Sequence, residues 1–213
     1  DVIVTAGTPA TSAAQKATAT IPIVMGSAAD PVASGFVKSL ARPGGNITGL
    51  STVVTDASPK RLEMLLAMAP KVSRVAVLVD PNDSSHAEIL KSVQVAAQKT
   101  GVKVLPMEAR TPQEIETAFS VMVREKAGAV IVVPGGVFNQ QEGQIAELAA
   151  KKRLPSISSR GEYAKVGGLM SYGDNRSETF RHVATFVDKI LKGAKPSDLP
   201  VEQPTIFELL ING

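Results

Sequence analysis

The stretch RVAVLVDPNDSSHAEILKSVQVAAQKTGVKVLP, residues 74–106, contains one complete strand–helix–strand unit. Val75 to Val79 is a continuous apolar run of strand length, the pattern of a strand covered on both faces. Pro81 to Ser84 breaks the run with loop residues. Ser85, followed three positions later by Glu88, has capping-box spacing, in which a hydroxyl and a carboxylate satisfy free N–H groups of the first helical turn. The helix so predicted runs to about Thr100, and Val102 to Pro106 is the next strand. Strands joined by a helix of this length form a βαβ unit and lie parallel.

The pattern repeats outward from there. Downstream, Thr111-Pro112 with Glu114 is a second capping box, opening a helix to Lys126, and Ala129 to Val133 is the most apolar strand of the set. Pro134-Gly135-Gly136 then leads to Asn139, a cap for a helix through Lys152. Pro155 to Ser158 and Leu169 to Tyr172 read as strands, Asn175 to Lys192 as a helix, and Thr205 to Ile211 as the last strand. Upstream, Val2, Ile3 and Val4 form a strand expected to be buried on both faces, and Gly7-Thr8-Pro9 starts a helix. Ile21 to Met25 is a strand with Gly26 to Ala29 as its loop, and Asp30-Pro31 is the cap and first turn of a helix through Leu40. After the turn Arg42-Pro43-Gly44-Gly45, Ile47 to Leu50 is a further strand. Ser58-Pro59 starts a helix to about Ala69, with Leu62, Leu65 and Leu66 on one face. The break at Ala69-Pro70 and the restart at Arg74 divide the repeats between two parallel sheets, so the fold class is α/β.

Composition narrows the function. The 213 residues are 44% hydrophobic and 20% charged, ordinary values for a globular chain, and the longest apolar stretches are far short of the ~20 residues of a membrane span. The net charge of +3 is spread along the chain and aromatics are only 4%, so neither a cation cluster nor a stacking platform for nucleic acid is present. Without cysteine there are no disulfides and no thiolate metal sites. A phosphate-binding Gly-Lys-Ser/Thr loop, HExxH, and GxGxxG after a strand are all missing, and no cofactor or metal is expected. The two histidines, His86 and His182, read as surface residues, because Ser84 and Ser85 are too close along the chain to His86 to pair with it as nucleophile and base. No catalytic residue is assigned.

In parallel sheets ligands sit at the carboxyl ends of the strands, where loops and helix starts meet. Gly7, Thr8 and Pro9 lie there, and a helix N-terminus attracts a carboxylate, although the same residues also serve simply as a helix start. Ser27 and Asp30 follow the next strand, with Asp30 able to pair with an amine or to act as a cap. Asn82, Ser84 and Ser85 are polar groups at another helix start, again either a ligand clamp or local capping. Phe138 and Tyr172 stand out among 6 Phe, 2 Tyr and no Trp, since both follow strand ends where a ring can wall a pocket rather than fill the core; Phe138 reads equally as pocket or core residue, and Tyr172 reads as a pocket residue.

Four segments together carry a family resemblance: IPIVMGSAADPVASGFVKSLARPGGNITGLS, KRLEMLLAMAPKVSRVAVLVDP, AELAAKKRLPSISSRGEYAKVGGLMSYG and ILKGAKPSDLPVEQPTIFELLIN. They resemble ABC-transporter substrate-binding proteins of the tryptophan/tyrosine type, built on the type I periplasmic-binding fold. The resemblance implies two Rossmann-like lobes, residues 1–70 with 174–204 and residues 71–173 with 205–213. It also implies further strands before Asp1 and a tail after Gly213, so that the first lobe here is incomplete. The implied function is capture of a small carboxylate or amino-acid-like ligand between the lobes, with an aromatic side chain suited to Phe138 and Tyr172. Delivery would be to an ABC permease, in the periplasm or another extracytoplasmic space. Gly7, Thr8, Pro9, Ser27 and Asp30 would then face Asn82, Ser84, Ser85, Gly135, Phe138, Ser158 and Tyr172. Two other classes share such sheets: the effector-binding domain of a regulator, for which no helix-turn-helix is readable, and an α/β enzyme using Asp30, Asp80 or Ser84.

Overall fold

The repeats read from the sequence fold as two units, each around its own sheet. The structure, a computed structural model, describes residues 1–52, 54–203 and 207–212, with the side chains of 29, 52, 54–56, 84 and 176 left outside the description. Unit 1 comprises Asp1–Val53 and Asp174–Ile206, and unit 2 comprises Val54–Gly173 and Phe207–Gly213.

In unit 1 three parallel strands, β1 (Ile3–Thr5), β2 (Ile23–Ala29) and β3 (Ile47–Thr52), lie in the order β1-β2-β3. Side chains alternate across the sheet, as the period of two requires. Ile23, Met25 and Ile47 pack on one face with Phe36, Val37 and Val201. Val24 and Leu50 pack on the other with Val183, Phe186 and Ile190 of helix α8 (Arg176–Leu191). β1 stands at the edge of this sheet, so Val4 is 48% exposed rather than covered on both faces as expected.

Two local readings in unit 1 are corrected. β2 runs on through the residues expected to be its loop: its register against β3 shifts between Met25 and Ala28, which inserts one extra residue there. Gly49 sits opposite this irregularity at φ +124°, and a Cβ on it would lie 2.2 Å from the Met25 carbonyl oxygen. The helix expected from Asp30 to Leu40 is a short series of turns. It ends early because Gly35 takes φ +70° and the Phe36 N–H reaches back to the Pro31 carbonyl, turning Phe36 and Val37 into the core.

Unit 2 holds six strands in the order β5-β4-β6-β7-β8-β9: β4 (Arg74–Val79), β5 (Lys103–Glu108), β6 (Ala129–Val132), β7 (Ser156–Ser158), β8 (Met170–Asp174) and β9 (Phe207–Ile211). The pairs from β5 through β8 are parallel. Of the expected last strand, residues 205 and 206 lie outside the described residues. Helices α2 (Val54–Met68) and α3 (Ser84–Gln98) cover one face through Leu62, Leu65, Ile89 and Val93. α4 (Pro112–Arg124), α6 (Glu142–Lys151) and the short α5 (Gly136–Gln140) and α7 (Gly161–Lys165) cover the other through Ile115, Phe119, Phe138, Ile145 and Tyr163. Thr111 caps α4 as its capping box predicts, accepting the Glu114 N–H at 3.2 Å, while the Glu114 carboxylate takes the N–H of Arg110, one residue before the cap. Asn139 lies inside α5, not at a cap; its Oδ1 accepts the Gly135 N–H at 3.2 Å.

The first lobe was expected to run to residue 70, but α2 belongs to unit 2. Leu62 and Leu65 are 1% and 0% exposed and pack with Val75, Val77 and Ile131 of that sheet. The helix also begins before Ser58-Pro59, leaving Pro59 inside it.

Candidate functional site

In unit 1 the carboxyl edge of the sheet is tied together by small polar groups. Gly7 is the N-cap of α1 (Thr8–Ala17), and its N–H donates to Ser27 Oγ at 3.1 Å. Thr11 Oγ1 donates to the Gly7 carbonyl at 3.0 Å and lies 2.9 Å from Thr5 Oγ1, both threonines being buried. Gly7 and Ser27, separate in sequence, are thus in contact at the irregular stretch of β2. Thr8 is half-buried and Pro9 exposed in the first turn of α1. Asp30 is exposed at φ 35°, and its Oδ1 accepts the Ala33 N–H at 2.9 Å, so it caps a turn.

Unit 2 has its switch point between β4 and β6, because the chain leaves β4 toward β5 on one side and β6 lies on the other. The crevice outside the carboxyl ends of such a strand pair is where α/β sheets hold ligands. His86 fills its base. The residue is 2% exposed; its Nδ1 accepts the Asp80 N–H at 2.8 Å, and its Nε2 lies 3.0 Å from the Pro134 carbonyl oxygen. Since Nδ1 accepts, the ring proton sits on Nε2 and is donated to Pro134. One imidazole therefore bridges the loops after β4 and β6. The surface reading of His86 is corrected here. Its signal was present, since His86, Ile89, Val93 and Ala97 share one helical face and all four are buried.

The neighbouring predicted residues take their places around this ring. Gly135 abuts it: a Cβ there would lie 2.6 Å from His86 Nε2. Phe138 stacks on it with centroids 6.0 Å apart, but is 1% exposed and belongs to the core, where it supports the crevice from below. Asn82 is exposed, with its N–H on Asp80 Oδ1 at 2.9 Å. The α3 cap is Asp83 rather than Ser85: Asp83 Oδ1 accepts the Ser85 N–H at 3.0 Å and its hydroxyl at 2.7 Å. The Ser84 side chain lies outside the described residues. With Asp80 and Asp83 at its rim, this edge suits a cation such as an ammonium group.

Beyond β6, Ser158 is buried at the end of β7 and accepts the Arg160 N–H at 3.4 Å. Arg160 pairs with Glu142, both largely buried. Burial pushes the Glu142 carboxyl above the usual range despite the opposing pull of the Arg160 guanidinium. Tyr163, fully buried, donates to Ser156 Oγ at 2.8 Å, and burial pushes its phenol up to about 12. A raised folded-state value stabilises the protein below the unfolded value near 10 and loses that contribution as pH rises to about 12. Stability is expected to fall by on the order of 2–3 kcal/mol across that window, and Tyr163→Phe is expected to remove this component of the alkaline slope. Urea titrations at pH 9, 10.5 and 12 read both; an unchanged slope in the variant would assign it elsewhere.

Tyr172 is held by a different group. It lies on β8, half-buried, with its ring stacked on Phe207 at 5.6 Å between centroids and 26° between planes. Arg61 of α2, only 2% exposed, donates from Nε to the Tyr172 carbonyl at 2.9 Å and from Nη1 to Ser58 Oγ at 3.1 Å. Neither Arg61 nor Phe207 was singled out in the sequence.

The architecture of strands and crossovers is that of the type I periplasmic-binding proteins, a class defined by α/β units of this kind. The chain belongs to the ABC transporter substrate binding protein family, whose model matches residues 1–213. A tyrosine-binding protein from Clostridioides difficile (strain R20291) is 27% identical over 212 residues, and the chain spans 61% of that relative's length. A conserved domain protein from Vibrio cholerae has a crystal structure that superposes with a TM-score of 0.91 at 26% identity, covering 99% of this chain and 70% of that one. The crystal structure of an ABC domain from Streptococcus pneumoniae in complex with L-Trp superposes with a TM-score of 0.89 at 26% identity, covering 99% and 72%.

Proposed function

We propose that this protein is the solute-binding component of an ABC importer, that its ligand is an aromatic amino acid, and that it passes the ligand to a membrane permease without chemical change. Family membership supports the binding role, and a tyrosine-binding relative and an L-Trp complex among the similar proteins support the ligand class. The carrying observation in the structure is the make-up of the strand edges. The start of α1 with Ser27 in unit 1 offers a helix N-terminus to a carboxylate, while Asp80 and Asp83 in unit 2 offer charge to an ammonium. Gly7, Thr8, Pro9, Ser27, Asp30, Asn82, Ser85, Gly135, Ser158 and Tyr172 are the ligand-edge residues of this reading, with Phe138 behind them. Work of this kind is done in the periplasm or another extracytoplasmic space; among the described residues no helix is long and apolar enough to cross a membrane.

A ligand selects the state it binds better, and a permease reads that state. A thermal-shift screen of the full-length protein against the twenty amino acids, small carboxylates and sugars tests the reading. L-tyrosine or L-tryptophan at 100 times its dissociation constant is expected to add about 2.7 kcal/mol of stability. A shift with sugars alone would overturn the ligand class, and hydrolysis of a small ester or phosphate would overturn the binding role.

A further inference from the structure

We infer that the stacked pair Tyr172 and Phe207 is the surface that selects an aromatic side chain, an inference that rests on the amino-acid-binding reading above and deepens it. Tyr172 lies toward the carboxyl end of β8, the end of the strand at which parallel sheets take their ligands. Its ring and that of Phe207 form an offset stack, 5.6 Å between centroids and 26° between planes. Rings prefer such offset or edge-on neighbours to aliphatic ones because their charged faces and edges attract. A stack of two extends that preference to a third ring.

The platform is fixed from behind. The Tyr172 carbonyl accepts from the buried Arg61 guanidinium at 2.9 Å, and Arg61 is itself anchored on Ser58, 0% exposed. A guanidinium holds such a fork at every accessible pH, so the backbone under Tyr172 is set before any ligand arrives. On either side of Tyr172, Ser171 and Gly173 are tightly packed: a Cβ on Gly173 would lie 1.8 Å from the Ser159 carbonyl oxygen, and Ser171 is 1% exposed. Only the Tyr172 side chain is half-open at this position, and among the described residues its hydroxyl makes no hydrogen bond. A half-exposed phenol that packs with Phe207 and against the core still keeps part of its ring and its polar tip within reach of a ligand, the combination that makes tyrosine common at binding surfaces.

Isothermal titration of the full-length protein with L-phenylalanine and L-cyclohexylalanine isolates the effect, because the two are close in size and only one has an aromatic ring. In the wild type the ratio of their affinities favours phenylalanine. Tyr172→Leu and Phe207→Leu are each expected to lower that ratio about three- to tenfold, and Tyr172→Phe to leave it unchanged. An unchanged ratio in both leucine variants, with phenylalanine still bound, would overturn this inference and leave the amino-acid reading intact. Failure of the wild type to bind any aromatic amino acid would overturn both. Should Tyr172→Leu not fold, Phe207→Leu on the neighbouring strand decides the question alone.

Discussion

Gly49→Ala is expected to destabilise unit 1 by about 3–5 kcal/mol, enough to unfold it under conditions where the parent is stable. Two effects add. The residue holds φ +124°, where a side chain is strained whatever the space around it, and a Cβ would lie 2.2 Å from the Met25 carbonyl oxygen and 2.7 Å from the Met25 nitrogen. Relief would need β2 and β3 to part at the register shift around Ser27, whose hydroxyl accepts from Gly7, so the loss of stability would extend to the proposed ligand edge. Urea denaturation followed by circular dichroism measures the change. A loss under 1 kcal/mol would mean that the two strands separate there at little cost, and that the irregularity in β2 is not a rigid feature.

His86→Ala is the second large effect, expected at about 3 kcal/mol. The substitution strands the Asp80 N–H and the Pro134 carbonyl, at about 1–3 kcal/mol for each buried group left unpaired, less whatever water can enter. The consequence is specific to place, since these groups belong to the loops after β4 and β6. Because the proposed ligand edge includes these loops, affinity for the proposed ligand is expected to fall along with the melting temperature. His86→Asn, whose amide can donate or accept but is too short to span both loops, is expected to recover only part of the loss. Full recovery of both stability and affinity by asparagine would show that a single hydrogen bond, rather than the bridge, is what matters.

Phe138 and Tyr172 are each an aromatic after a strand, the first readable from the sequence equally as pocket or core and the second as pocket, and the structure seals Phe138 in the core and leaves Tyr172 half-open on the sheet. The difference lies in what packs over them. α5 turns Phe138 inward against Leu78 and Ile145, whereas Tyr172 stacks on Phe207 and packs at the margin of the core cluster that holds Leu62 and Met170. His86 shows the opposite failure: its helical face was readable, but its hydrogen-bonding partners come from residues 6 and 48 positions away along the chain. The short helix α7, which brings Tyr163 to Ser156, left no local signal strong enough to read, since five residues are too few for a hydrophobic period.

What the amino-acid sequence determined by itself is whatever depends on near neighbours. The alternation of apolar strands with capped helices and the cap at Thr111 follow from groups within four residues of one another, and with them came the α/β class and the parallel sheets. The family resemblance is equally legible, because it is a property of residue order. Tertiary structure alone decided that α2 packs in unit 2, that Asp83 rather than Ser85 caps α3, that β2 takes an extra residue opposite Gly49, and that a histidine fills the switch point. Each of these is a choice among local alternatives of nearly equal energy, and packing against residues distant in sequence breaks the tie.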